Sequence, residues 1–486
     1  MKLRMYLWIV IVFTLLPGAD AAGQSKSSTA ARQLSSAIDA ALENDLFAHT
    51  LAAVEVTDLR SGKTVYSRNA QLLLRPASNA KLVTSAAVVL GVDSAYRFRT
   101  LLAAADSSLR LLVCTGGADP LLTSQDIQKL AESAYAAGVR EVDTLLLDNS
   151  LLDSSPLENS FYGAGWMWDD ESDPFMPYLS AFPVDRNTIT LHLKSPTQHG
   201  EPVRFSVLPS SNLIHVENNA RSGARSDLHV EKLPRSNTIL LRGTLAAGRR
   251  VTRRVSMWRP PELFADLLLA ALRVAGVRVD SARVISGSLR NPTLPLGEIA
   301  HPLEKVLEKM NKDSDNLCAE SALRVLGAQG KSLGAQGKSR GVTAGDGLAA
   351  AEQILRRAGV ETENLHLRDG SGISFYNLLT ARSLSSLLAV MAAHPRFPRF
   401  RASLSIAGGD GTLARRMTGI EKGAFFRGKT GTVSGVSALS GYAQAPGGRL
   451  LGVVMLMQNF HGRHKPYRDV QDEIVRHCIV YSGDAN

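Results

Sequence analysis

Ser78-Asn79-Ala80-Lys81 sets an amine three residues after a hydroxyl. The preceding Arg75-Pro76-Ala77 predicts a helix start with proline in the first turn, and the helix runs to about Leu90. Residues i and i+3 share a helical face, so Lys81 reaches the Ser78 hydroxyl. A serine hydroxyl is a weak nucleophile and needs a base within hydrogen-bond reach. A lysine serves as that base only when burial or a neighbouring cation lowers its pKa. A second set, Ser314-Asp315-Asn316, falls in a predicted helical stretch from Pro302 to Leu326. Its hydroxyl and amide suit proton relay and substrate orientation; alone, the triplet reads as a polar turn or helix cap. A third, Lys429-Thr430-Gly431-Thr432, precedes a strand pattern. A lysine, two hydroxyls and a small glycine on a strand edge suit a carboxylate, and a peptide lies along such an edge by backbone pairing. Each motif is common by itself. In this order, at these positions, they describe an acyl-transfer site.

The elements that must hold these residues are legible in outline. Leu34 to His49 has apolar residues at helical spacing, and Leu51–Thr57 with Thr64–Arg68 reads as a hairpin turning at Ser61-Gly62. From Phe98 to Ile285 short apolar runs separated by turn residues predict one or two β-rich modules, with one helix at Pro260–Ala275 capped by Gly276. Helices return at Ala344–Ala358 and Ala381–His394. Strands follow at Gly435–Ala445 and Leu450–Gln458, and a last helix at Arg468–Tyr481. Gly327–Leu333 and Gly334–Arg340 form a near-perfect tandem repeat, read as a flexible loop. Its two Gly-x-Ser-x-Gly matches follow a helix, whereas a nucleophile elbow needs a strand before the turn.

The ordered trio is the signature of penicillin-binding proteins and class A β-lactamases. Ser78 and Ser314 are 236 residues apart, so a large module separates the first two motifs. No Glu-x-x-Leu-Asn, the deacylating glutamate motif of class A β-lactamases, lies between Asn316 and Lys429. The layout resembles the low-molecular-mass class C penicillin-binding proteins, the D-Ala-D-Ala carboxypeptidase/endopeptidase family, over nearly the whole chain after its leader. Further blocks carry the likeness: Gly116-Gly117-Ala118-Asp119-Pro120, Gly165-Trp166-Met167-Trp168-Asp169-Asp170, Asp369-Gly370-Ser371-Gly372-Ile373-Ser374 and Gly409-Asp410-Gly411-Thr412-Leu413.

The resemblance implies an α+β fold of the serine β-lactamase/DD-peptidase type, an antiparallel sheet flanked by helices. That domain is expected from residues 25–97 and 286–486, with 98–285 as an inserted β-rich region of two modules. It further implies that Ser78 forms an acyl-enzyme and Lys81 takes its proton. Ser314 passes a proton to the departing D-alanine with support from Lys429, and Asn316 holds the substrate amide and Lys81. Lys429, Thr430 and Thr432 beside Gly431 bind the terminal carboxylate, and Asp169 with Trp168 walls the pocket for the diamino-acid side chain. Peptidoglycan stem peptides are the expected substrates and β-lactams the covalent inhibitors, with no metal or cofactor. One departure stands out: the family's arginine after Asp-Gly-Ser-Gly-Leu-Ser is Phe375 here, which removes a cation expected to meet a side-chain carboxylate. A β-lactamase or esterase on the same fold, and a non-catalytic wall-binding or β-lactam-sensing protein, are the alternative readings.

Lys2 and Arg4, the apolar run Tyr6–Leu16, the Pro17-Gly18 break and Ala19-Asp20-Ala21 form a secretory signal, cleaved near Ala21. Eleven apolar residues are too few to span a bilayer of about 30 Å. The expected location is therefore extracytoplasmic or periplasmic, with at most peripheral membrane contact. The net charge of +10 favours anionic partners, but no dense Lys/Arg block marks a nucleic-acid binder. Cys114, Cys318 and Cys478 lack metal-ligand spacing and are too few for a disulfide framework.

Overall fold

A computed structural model describes residues 29–152, 162–279, 283–286, 294–332, 341–421 and 423–481. The expected leader at 1–21 and the whole second repeat copy lie outside them. At the centre is a six-stranded antiparallel sheet in the order Ser405–Ile406, Phe425–Val433, Val436–Gln444, Leu450–Gln458, Leu51–Asp58 and Thr64–Arg68. Alternate residues of a strand face opposite sides, and here both sides are covered. Leu451, Val453, Met455 and Met457 pack with the helices Thr29–Leu42 and Lys465–Ile479. Val454 and Leu456 face the other way, onto the helices Ala80–Gly91 and Ala381–Ala393. Burial on both faces explains why Leu450–Gln458 reads as an unbroken apolar run.

Two other sequence expectations change. The stretch from Pro302 to Leu326 is two helices, Leu303–Lys312 and Asn316–Ser332, broken at Ser314 with φ 60. The break has a local cause. The Asp315 side chain accepts the Cys318 N–H at 2.8 Å, an N-cap bond that starts a new helix. The repeat at 327–340 is not wholly a loop either. Its first copy continues the second helix through Ser332, and Gly327 packs against the backbone of Asp346 and Gly347.

Strands between the first two motifs form three smaller sheets. One has five strands: Arg283–Ser286, Thr144–Asp148, Leu111–Thr115, Arg97–Ala104 and Leu294–Pro302. Its first three strands pair in parallel, and two helices, Ser124–Ala136 and Pro260–Val274, share its core. The first helix was not expected from the sequence. Its signal is the capping box Thr123/Asp126. The second sheet is antiparallel, in the order Arg250–Ser256, Thr188–Lys194, Arg204–Leu208. The third holds Asp227–Lys232, Thr238–Ala246, His215–Asn218 and Arg221–Gly223. All three cysteines are buried and free.

Candidate active site

Ser78 sits in a 3-10 turn, Ala77–Asn79, that leads directly into the helix Ala80–Gly91. The turn is held from several sides. Arg75 N–H donates to Gln458 Oε1 at 3.1 Å, and Asn79 Nδ2 donates to Ser440 Oγ at 2.7 Å. Ala77 takes a positive φ of 44, a region that disfavours side chains. Gly372, at φ +85, lies against it. A methyl added there would stand 1.9 Å from the Ala77 carbonyl oxygen, so only glycine lets the two backbones meet.

Lys81 is fully buried. Its Nζ lies 2.9 Å from Ser78 Oγ, 2.6 Å from Asn316 Oδ1 and 2.6 Å from the Ser371 carbonyl oxygen. The last two atoms are carbonyl oxygens, which only accept. The Asn316 amide is oriented by its other end, where Nδ2 donates to the Phe175 carbonyl at 2.6 Å. A neutral amine has two N–H bonds and one lone pair. Two carbonyls use both N–H bonds, and the lone pair is left for the Ser78 hydroxyl proton. Burial pushes the Lys81 ammonium down to about 8, against the opposing charges of Asp369, Asp315 and Glu320.

Ser314 and Lys429 form the second half of the site. Lys429 Nζ donates to Ser314 Oγ at 2.9 Å and to the Thr430 carbonyl at 2.8 Å. Lys429 is also fully buried, and burial first, then the Lys81 charge, holds it well below the ordinary lysine range. The positive φ of Ser314 at the helix break is what separates this hydroxyl from the helix register. Asp315 turns away from the lysines into an ion pair with Arg186.

The strand Phe425–Val433 pairs with Ser405–Ile406 only through Arg427 and Gly428. Among the described residues, its edge from Lys429 onward has no strand partner. Thr430 Oγ1 donates to Thr412 Oγ1 at 2.9 Å, and Thr432 Oγ1 accepts from Arg468 Nη2 at 3.3 Å. Burial and the neighbouring Arg416 lower the Arg468 pKa. A Cβ on Gly431 would come within 2.7 Å of the Pro76 carbonyl, so the nucleophile turn packs directly on this strand.

The Asp369–Ser374 block is a working part of the site. The Asp369 carboxylate accepts Gly372 N–H at 2.8 Å, Ser374 N–H at 2.7 Å, Asn377 Nδ2 at 2.8 Å and Trp166 Nε1 at 2.8 Å. Glu320 was missed from the sequence. Its buried Oε1 accepts the Gly370 and Ser371 N–H groups, each at 2.9 Å, while Asp369 holds the Gly372 N–H, which shares a peptide unit with the Ser371 carbonyl that meets Lys81. Its other oxygen accepts from Arg324 Nη1 at 2.6 Å. Burial raises the Glu320 pKa and the Arg324 charge opposes it. The available signal was spacing: Glu320 is four residues after Asn316, on the same helical face.

Asp169 is not part of this cluster. It is exposed in the short turn Trp168–Asp170 at the rim. Trp168 is 83% exposed, which removes scaffold packing as its role. Met167, Phe175 and Tyr376 are also exposed there. Over Phe375, at 5.1 Å from the ring centroid, stands the guanidinium of Arg75. Among the described residues no group of His, Cys, Asp and Glu has the makings of a metal site.

Known proteins resemble the chain over nearly its whole length. The sequence profile of the D-Ala-D-Ala carboxypeptidase 3 (S13) family matches residues 34–478. A D-alanyl-D-alanine carboxypeptidase of an Actinomadura species (strain R39) is 31% identical over 98% of this chain and 90% of its own. The D-alanyl-D-alanine carboxypeptidase DacB of Haemophilus influenzae is 23% identical over 83% of this chain and 84% of its own. The crystal structure of penicillin binding protein 4 from Haemophilus influenzae superposes with a TM-score of 0.77 at 22% identity. It covers 93% of this chain and 99% of the other. The fold is therefore the expected α+β serine DD-peptidase fold.

Proposed function

This chain belongs to the D-Ala-D-Ala carboxypeptidase 3 (S13) family, and we propose that it cleaves peptidoglycan stem peptides through an acyl-enzyme on Ser78 with Lys81 as general base. The chain is a serine-type D-Ala-D-Ala carboxypeptidase. The observation that carries the assignment of roles is Lys81 Nζ, 2.9 Å from Ser78 Oγ with carbonyl oxygens 2.6 Å away on two other sides, so that the neutral amine keeps its lone pair for the Ser78 proton.

In the first step Ser78 Oγ attacks the carbonyl carbon between the two D-alanines, and its proton passes to Lys81 Nζ. The negative oxygen of the tetrahedral intermediate is met by the backbone N–H groups of Ser78 and Thr432, an arrangement that contributes several kcal/mol, about 3–4 for one donor. The C–N bond then breaks. The leaving nitrogen takes the Ser314 hydroxyl proton, and Lys429, 2.9 Å away, restores it. Water attacks the ester, its proton returning through Ser314 to Lys429 while Lys81 gives its proton back to Ser78 Oγ, and the shortened peptide leaves with both lysines restored. Lys429 with the Thr430 and Thr432 hydroxyls receives the terminal carboxylate, and Gly431 keeps the strand edge clear. A β-lactam carries the same carbonyl and carboxylate, and it acylates Ser78.

The diamino-acid end of the stem peptide lies toward the rim, where Asp169 meets an amine. Arg75 on Phe375 supplies the cation that position 375 lacks. The peptidase part draws on 25–97 and 286–486 around the insertion 98–285. The chain is exported behind a cleaved leader at 1–21; among the described residues no helix is long and apolar enough to cross a membrane.

Intact-protein mass spectrometry after incubation with benzylpenicillin tests this reading. A long-lived adduct on wild type, absent from Ser78→Ala, is expected. An adduct that disappears with drug turnover would make the chain a β-lactamase, and an adduct retained on Ser78→Ala would remove Ser78 from its role.

A further inference from the structure

The antiparallel sheet Arg250–Ser256, Thr188–Lys194, Arg204–Leu208 turns one face to the core and one to solvent. Ile189, Leu191, Leu193 and Val255 belong to the buried face. On the other face the register sets Arg250 directly opposite Lys194, and Lys194 directly opposite Arg204. Three cations thus cross three adjacent strands in one row. Like charges directly opposite on neighbouring strands destabilise a sheet. All three are exposed, and among the described residues none takes part in an ion pair. Folding does not need this row, and it lowers the stability of the sheet that carries it.

The row borders an open cleft of about 540 Å³, lined also by His192, Ser206 and Thr252 and by no carboxylate. Strands lie about 4.8 Å apart, so the three charges extend over roughly 10 Å. That is longer than one phosphate group and suits successive charges of a chain. The row is linear and borders the cleft along its length, which favours a strand of polymer over a flat layer of headgroups. Arginine on both outer strands offers the forked donors that match phosphate oxygens. Arg250 is also far from the site. The other end of its strand, Ser256, bonds to Ser172 in the rim segment, and six residues of strand put the row about 20 Å away from it.

We propose that this face binds a linear phosphate-bearing polyanion of the cell envelope, holding the enzyme beside its peptide substrate without blocking Ser78. Binding of a fluorescently labelled inorganic polyphosphate to the full chain, read by anisotropy, tests it. The triple variant Arg250→Gln, Lys194→Gln, Arg204→Gln should bind at least about tenfold more weakly. Its slope of log Kd against log salt should fall by roughly 0.7–0.9 for each cation removed. The same variant should keep wild-type acylation by benzylpenicillin and should melt no lower than wild type, since a repulsive row has been removed. Those two readings separate lost binding from lost structure. Wild-type affinity in the triple variant would overturn the proposal. So would an equal loss on neutralising Arg60, Lys63 and Arg357, exposed cations elsewhere, because net charge alone would then account for binding. Tighter association with phosphatidylglycerol vesicles than with polyphosphate, through the same three residues, would replace the polymer by a membrane.

Discussion

Lys81 has its two N–H bonds committed to Asn316 and Ser371, so its protonation state decides whether Ser78 can be activated. With its pKa pushed down to about 8, the amine is mostly protonated below that pH and has no lone pair to offer. The second-order rate of acylation by benzylpenicillin should therefore rise with pH, about tenfold per unit below its midpoint, and level off above about 8. A flat profile from pH 6 to 9 would exclude Lys81 as the base. Glu320 acts on the same titration. Its negative charge favours the ammonium form of Lys81, so Glu320→Gln should move the rise to lower pH. A residue that only held structure would depress the plateau and leave the midpoint where it was. Arg75→Ala should raise KM about tenfold, an effect near 1.4 kcal/mol, for peptides whose diamino-acid side chain ends in a free carboxylate. Peptides amidated there should change little, and equal losses on both would show that Arg75 does not read that carboxylate. The nucleophile, its lysine and the two polar motifs were legible because their chemistry fixes residue types at short spacing. The roles of Glu320 and Ser371 were not, because one binds backbone N–H groups and the other offers a backbone carbonyl, groups that any sequence possesses.

At the scale of elements, the helix break at Ser314 and the contact of Gly372 with Ala77 do the positioning. Periodicity in Pro302–Leu326 continues across the break, since both helices pack on the same core; the pattern therefore reads as one helix. The interruption is written only in the Asp315 cap, which sequence patterns allow without requiring. The same limit applies to Ser124–Ala136, whose strand-rich surroundings hid a capping box. Two glycine substitutions separate strain from contact. Gly372→Ala must displace the nucleophile turn, because the new methyl meets a carbonyl at 1.9 Å. It should cost more than the roughly 1–2 kcal/mol of a left-handed residue and lower acylation at least about a hundredfold. Gly62→Ala has φ +70 with open space around it. It should lose about 1 kcal/mol in urea unfolding and acylate normally. Equal acylation rates in the two variants would show that the loop at 369–374 does not support Ser78.

In the whole molecule, the proposed catalytic residues come from both sides of the proposed insertion 98–285, and residues within 98–285 reach back to them. Phe175 supplies the carbonyl that orients Asn316, Trp166 bonds Asp369, and Arg186 pairs with Asp315. Asp315 is buried and Arg186 partly exposed, so Arg186→Ala leaves a buried carboxylate without its ion-pair partner. We expect a loss of about 1–3 kcal/mol in urea unfolding together with slower acylation. Unchanged urea unfolding together with unchanged acylation would mean that the two parts work independently. The open edge of the strand Phe425–Val433 has a further consequence, for how the molecule behaves in crowded solution. An unpaired edge is what one sheet offers another, and long flat apolar edges drive aggregation. This one is only five residues long past Gly428, ends in a turn, and carries a buried lysine. It is long enough to seat the end of a peptide and too short to recruit a second copy of itself. The protein can keep its edge open for substrate at high concentration and still stay monomeric through that edge.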